Sequence, residues 1–206
     1  MATLNSLKRV LRQKATETAS KQPLSNTQYS AGFDILLQGS GWVTYQDFII
    51  PKLSELLAPL FHSRAHISVL EIGPGPKTVL GYLPGRMRRK VTRYAAFEPN
   101  DLFAASLEEW FCSSRETGPP LPCLESLPEI HPVPFTLDSC TGRGTGTSDG
   151  DGKYDVILFC HSMYDMKPQH RFIEQALKML AEDGMVMVFH REGTLDLSGF
   201  FSCRGR

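Results

Sequence analysis

The stretch Ser68 to Leu80, SVLEIGPGPKTVL, constrains this chain more than any other. An aliphatic strand, Ile67 to Ile72, carries an acid, Glu71, near its end and runs into a bend of Gly73, Pro74, Gly75 and Pro76, followed by Lys77-Thr78. In a sheet of such strands, ligands sit beyond the carboxyl ends. A phosphate loop needs G-x-x-x-x-G-K-[ST], whose backbone N–H groups wrap the anion. Here Pro76 precedes Lys77, and neither Pro74 nor Pro76 has an N–H to give. A dinucleotide fingerprint needs G-x-G-x-x-G. Gly73 and Gly75 supply the first two glycines, Thr78 stands in the third place, and Glu71 would lie against the pyrophosphate and repel it. A positively charged ligand removes that conflict, and the glycines let the backbone approach it where a side chain would collide.

The rest of the chain supplies the sheet. Residues 1–28 read as a basic N-terminal segment, and residues 29–62 as a helical lid broken into two pieces at Gly39 and Gly41, with Pro51 in the first turn of its last helix. From residue 63 to 206 strands and helices alternate. A short helix is expected over Lys77 to Leu83, a second strand over Arg93 to Phe97 ending at Glu98-Pro99, and a helix over Leu102 to Phe111. A third strand is expected over Val133 to Leu137, followed by a flexible loop over Thr141 to Lys153. YDVILFC, Tyr154 to Cys160, is apolar almost throughout, as a strand buried on both faces must be. Phe172, Ile173, Ala176, Leu177 and Leu180 recur at helical spacing over Arg171 to Leu180, and Asp183-Gly184 turns the chain into a fifth strand, Met185 to Phe189. The alternation predicts an α/β fold, a doubly wound and mostly parallel sheet.

Composition excludes several functions. With 22 basic and 22 acidic residues in 206, no net field draws the chain to nucleic acid or anionic lipid, and the local run GRMRRK, Gly85 to Lys90, reads as a solvated turn. The five cysteines are odd in number, irregularly spaced and without a C-x-x-C pair. They indicate neither a disulfide framework nor a metal site, and reduced thiols fit a cytoplasmic protein. No apolar run is long enough to span a bilayer.

VLEIGPGP, then FEPN one βα unit later, then YDVILFCHSMYDM and LAEDGMVMVF, resemble the successive motifs of class I S-adenosylmethionine-dependent methyltransferases over roughly residues 65 to 192. The lid, with Tyr29 and Phe33 four apart, and the EPN triplet are similar to histamine N-methyltransferase-like enzymes. S-adenosyl-L-methionine carries an ammonium and a sulfonium and no phosphate, which suits Glu71. The resemblance implies a Rossmann-like fold in which Glu71, Gly73, Pro74 and Gly75 line the methionine part of the cofactor. Glu98 with Pro99 would serve the ribose hydroxyls, Asp138-Ser139 the adenine, and Cys160, His161 and Ser162 the space between cofactor and substrate. Tyr29, Phe33 and Tyr164 are the expected substrate contacts, and His161 the expected general base, its ordinary pKa being suited to base work near neutrality.

The implied activity is methylation of N or O of a small molecule, an amine or natural product. The usual sheet of that family continues with a helix and an antiparallel hairpin, for which the seventeen residues after Phe189 leave no room. The expectation is therefore a truncated form lacking the C-terminal β-hairpin, with strand five open to self-association. Two other readings stay open: a non-catalytic cofactor-binding protein or partner of a full-length relative, and an NAD-dependent oxidoreductase, since an acid after the second strand serves a nicotinamide cofactor equally well.

Overall fold

The computed structural model describes Arg9, Gln13 and residues 24–112, 118–139, 153–164 and 166–190. Most of the expected basic segment and the expected loop from Thr141 up to Lys153 lie outside the described residues. Five strands, β1 (Ile67–Ile72), β2 (Val91–Phe97), β3 (Glu129–His131), β4 (Tyr154–Cys160) and β5 (Leu180–Phe189), form one sheet in the order β3-β2-β1-β4-β5. Every neighbouring pair is parallel. The order reverses between β1 and β4, so the ligand crevice of such a sheet opens above the carboxyl ends of these two strands.

The strand sequences explain the two layers. Ile67 and Val69 of β1, with Val156, Leu158 and Cys160 of β4, face one core, while Leu70, Ile72, Ile157 and Phe159 face the other. All seven residues of β4 are buried, which is why its sequence is apolar but for Asp155 at its amino end. The first core is closed by helices α3 (Ile50–Ser63), α4 (Gly85–Arg88) and α5 (Asp101–Cys112), and the second by α6 (Gln169–Lys178). Leu53, Leu57, Leu60 and Phe61 put one stripe of α3 into the first core, each contributing about 2 kcal/mol. This is the expected doubly wound α/β fold.

Four local expectations are corrected. The lid is not broken at Gly39 and Gly41. Ser25 and Gln28 form a reciprocal capping box at the start of α1 (Asn26–Leu36), and the helix then runs on through a π-helical Leu37–Gly41, α2 (Trp42–Thr44) and a π-helical Tyr45–Ile49 into α3. The glycines allow a wider turn instead of a break: a Cβ on Gly41 would stand 2.7 Å from the Leu36 carbonyl oxygen. Pro51 is at the start of α3 as expected, and the wide turn before it absorbs its missing N–H.

The third strand is Glu129–His131, earlier than Val133 to Leu137. Pro132 and Pro134 cannot donate to a ladder, so pairing with β2 stops at His131. Phe135 packs into the second core without being in a strand. Lys77 to Leu83 holds only a 3₁₀ turn, Val79–Tyr82, capped by the Thr78 hydroxyl. Asp183-Gly184 lies inside β5, where Asp183 has a φ of 57° and the register with β4 slips between Tyr154 and Val156. Among the described residues no helix is long and apolar enough to cross a membrane, and no group of acidic, His and Cys side chains could hold a metal.

Candidate active site

The bend after β1 is built as its glycines predict. Gly73 and Gly75 have φ of 64° and 74°, a region side-chain-bearing residues rarely occupy. Gly73 is also hemmed in, since a Cβ there would stand 2.7 Å from the Ser162 Cβ. The bend is held by the acid at the end of β2. Glu98, 4% exposed, accepts from the Gly75 N–H (2.8 Å) and from the Asn100 N–H (2.9 Å). Burial raises its pKa, and these two hydrogen bonds only partly offset the rise. Asn100 caps α5 by accepting from the Leu102 N–H (3.1 Å), and its amide donates to the Ser30 hydroxyl (3.2 Å) and the Asn26 carbonyl (3.3 Å). One asparagine thus ties the lid to the start of α5 beside Glu98. Pro99, between the two, is exposed.

Glu71 is 1% exposed and points into the same layer as Tyr94, whose hydroxyl donates to it at 2.8 Å. Burial pushes its carboxyl up to about 7, although the Thr78 hydroxyl, Tyr94 and the Val79 N–H all donate to it. Above it lies a cavity of about 1030 Å³. Lid residues Phe33, Leu37, Trp42 and Tyr45 form one wall; Pro74, Pro76, Lys77 and Tyr82 form another; Glu109 and Trp110 of α5 close the outer end; Glu71 and Cys160 reach it from the sheet. Phe33 comes within 3.6 Å of where a Gly75 Cβ would be. Trp42 packs edge-on to Tyr82 with ring centroids 4.7 Å apart, and Tyr82 against Trp110 at 5.6 Å.

This geometry is an α/β crevice at a strand-order reversal, with an acid at each of two adjacent strand ends. The sequence model of a family described as "Methyltransferase domain" matches residues 44–192, which takes in all five strands and both acids. The chain belongs to the methyltransferase-domain family.

Among solved structures, this methyltransferase domain is similar to the plantazolicin methyltransferase BpumL. In complex with a triazolic desmethylPZN analog and SAH, that structure matches at TM-score 0.53 and 13% identity over 88% of this chain and 57% of that one. BpumL in complex with SAH matches at TM-score 0.51 and 13% identity over 79% and 52%. At this identity the likeness shows the fold, and the chain spans a little over half the length of those structures. No curated protein sequence matches the chain significantly.

The remaining predicted residues of the methyltransferase domain fall into two groups. Cys160, His161 and Ser162 lie at the end of β4; Cys160 lines the cavity, while His161 and Ser162 stand beside it and are not part of its lining. The Cys160 thiol, pushed up to about 12 mainly by burial, lies 3.9 Å from the Tyr45 hydroxyl. The Ser162 hydroxyl is buried with no hydrogen-bond partner among the described residues. His161 adopts a φ of 58°, its Nδ1 is 3.1 Å from the Tyr164 hydroxyl, and its ring is stacked parallel to that of Tyr164 and edge-on to Tyr45. Burial and the neighbouring His190 hold its pKa below the ordinary value.

The other group stands apart. Tyr29 packs edge-on to Phe103 and is 53% exposed, outside the cavity wall that Phe33 joins. Asp138 and Ser139 do not follow a strand directly: they lie in a turn past Pro132 and Pro134, where the Ser139 hydroxyl accepts from the Thr136 N–H (2.7 Å). Sequence reasoning missed Tyr94 as the partner of Glu71, Asn100 as the tether, and the wall of Trp42, Tyr45, Tyr82 and Trp110. Trp42 and Tyr45, three apart on a helix, carried a signal; Tyr82 and Trp110 join them only through the fold.

Proposed function

We propose that this domain binds S-adenosyl-L-methionine and transfers its methyl group to a nitrogen or oxygen of a small molecule. One observation carries the reading: Glu71 lines the cavity, Glu98 holds the bend beside it, both are buried, and among the described residues every group that hydrogen-bonds them is neutral. Such a site rejects a phosphate and is completed by a cation. The same point argues against a nicotinamide dinucleotide, whose pyrophosphate would meet Glu71.

The donors and acceptors present fit the cofactor. Each Glu98 oxygen retains acceptor capacity beyond its one backbone N–H, enough for ribose hydroxyls. Glu71 suits an ammonium, and the unpartnered Ser162 hydroxyl lies against the bend between them. Ligand pockets run to about 300–1,000 Å³, so a cavity of about 1030 Å³ has room for a second, small molecule against the aromatic wall. When bound, the cofactor would supply an electrophilic methyl group on sulfur.

The chain's part is then alignment and proton handling. In-line positioning at about 3–3.5 Å supplies most of the catalysis, and Phe33 and the lid keep water off the bend. His161, neutral at pH 7 because burial depresses its pKa, takes a proton from a nucleophile that arrives protonated. Its positive φ in a non-glycine residue is a conformation that clusters at functional positions.

Titration calorimetry tests the reading: folded protein should bind SAH saturably, and no heat with SAH or S-adenosylmethionine would end it. His161→Gln should leave SAH affinity unchanged and lower kcat by about 10²–10⁴-fold. Self-association through β5, an edge strand among the described residues, is a separate proposal that sedimentation across a concentration series tests.

A further inference from the structure

Among the described residues the cavity is lined by three carboxylates, Asp34, Glu71 and Glu109, and by a single basic side chain, Lys77. Lys77 follows directly on the glycine bend, is exposed, and holds its ammonium 5.7 Å from the centroid of the Trp110 ring. Among the described residues no carboxylate pairs with it.

The backbone around Lys77 has little left for an anion. The Gly73 N–H donates to the Phe97 carbonyl (2.8 Å) and the Gly75 N–H to Glu98 (2.8 Å). Pro74 and Pro76 have none. The Val79 N–H serves Glu71 and the Leu80 N–H serves the Thr78 hydroxyl (3.1 Å). From Gly73 to Leu80, only the N–H groups of Lys77 and Thr78 themselves are outside this account. A loop that usually holds anionic groups by its backbone keeps only these two N–H groups for the purpose, and the Lys77 ammonium is the strong donor beside them.

We infer that Lys77 binds the α-carboxylate of the cofactor's amino-acid end. The inference rests on the proposal that the domain binds S-adenosylmethionine. That end is a zwitterion. Its ammonium is suited to Glu71, while its carboxylate, in a cavity with three acids, needs a cation, and Lys77 is the one among the described lining residues. Trp110 beneath the ammonium holds it toward the cavity by cation–π attraction.

The test compares two ligands by calorimetry: SAH, and 5′-methylthioadenosine, which keeps the nucleoside and thioether but lacks the amino-acid end. Lys77→Gln should weaken SAH about tenfold, the effect of one charge-assisted hydrogen bond at an exposed site, and leave methylthioadenosine unchanged. Lys77→Arg should restore most of the SAH affinity. Unchanged SAH affinity in Lys77→Gln, or an equal loss for both ligands, overturns the inference while leaving cofactor binding intact. A carboxylate-bearing substrate as the true partner of Lys77 would show as the first of these. A wild-type protein that binds neither ligand overturns the cofactor reading, and this inference with it.

Discussion

At the amino end of β4, Asp155 is buried beside a cation; at the carboxyl ends of β1 and β2, Glu71 and Glu98 are buried without one. Asp155 is ion-paired with Arg64 and accepts from the Ser68 N–H (2.6 Å) and hydroxyl (2.7 Å), so it stitches β1 to β4 and to the end of α3. Among the described residues Glu71 and Glu98 have only a tyrosine, a threonine and backbone N–H groups. Burying a carboxylate is costly in either place. Where the acid serves the fold, the chain supplies the countercharge. Where it does not, the carboxyl must hold a proton or wait for positive charge from outside, and the second pair of acids is the one at the crevice.

The largest effect should come from Glu98→Ala. It strands the N–H groups of Gly75 and Asn100 in a buried place, each at about 1–3 kcal/mol. Urea denaturation should show a loss of about 4 kcal/mol, and SAH affinity should fall by more than about 100-fold. Glu98→Gln, which keeps acceptor capacity, should recover much of the stability and little of the affinity. Equal recovery of both would remove the distinction between the two ends of the sheet.

Glu71→Gln comes next and acts through pH. The folded carboxyl is raised to about 7 from an ordinary value of 4.5. The stability it lends is therefore complete below about pH 4.5 and is lost as pH rises through about 7, a span of about 3 kcal/mol. Glutamine cannot ionise, so the variant should lack this fall and be the more stable protein above pH 8 in denaturant titrations. The wild type should also release protons on binding SAH near pH 7, visible as a buffer-dependent heat, because an ammonium beside Glu71 favours its charged form. Glu71→Gln should abolish that dependence.

How much of this was legible in the sequence depended on how local each cause was. Glu71, Gly73, Gly75 and Glu98 were readable because an acid or a glycine at a strand end has a consequence within a few residues. β4 was readable because burial on both faces leaves it apolar from Val156 to Cys160. β3 was misplaced because Val133 and Phe135 alternate like a strand, while the prolines beside them remove the donors a ladder needs. The lid's glycines looked like breaks because a π turn has no composition of its own. Lys77 was given no role once the phosphate-loop pattern failed, and its place over Trp110 follows from packing between elements remote in sequence.

Arg64→Ala reverses the comparison at the other end. It leaves Asp155 with Ser68 alone. Breaking a fully buried pair costs about 3–5 kcal/mol; with the Arg64 side chain 26% exposed, a loss of about 2 kcal/mol is expected by urea denaturation. SAH affinity should be unchanged, since Arg64 lies at the opposite end of the strands. A fall in affinity matching the fall in stability would mean that the two ends are coupled and that the crevice acids have no separate role.

The smallest effect separates the lid from the sheet. Phe33 is half-buried, lines the cavity and rests against Gly75, whose N–H is bonded to Glu98. Its partner within the protein is Phe103, with ring centroids 5.1 Å apart, and not the sheet core. Phe33→Ala should therefore cost little in denaturant stability while lowering SAH affinity about fivefold, equivalent to about 1 kcal/mol of lost apolar burial. It should also let water nearer to Glu71, moving the carboxyl's titration midpoint down toward its ordinary value, in the direction opposite to burial. A midpoint that stays near pH 7 in Phe33→Ala would place the desolvation of Glu71 in the sheet alone, with the lid contributing contact and no electrostatics.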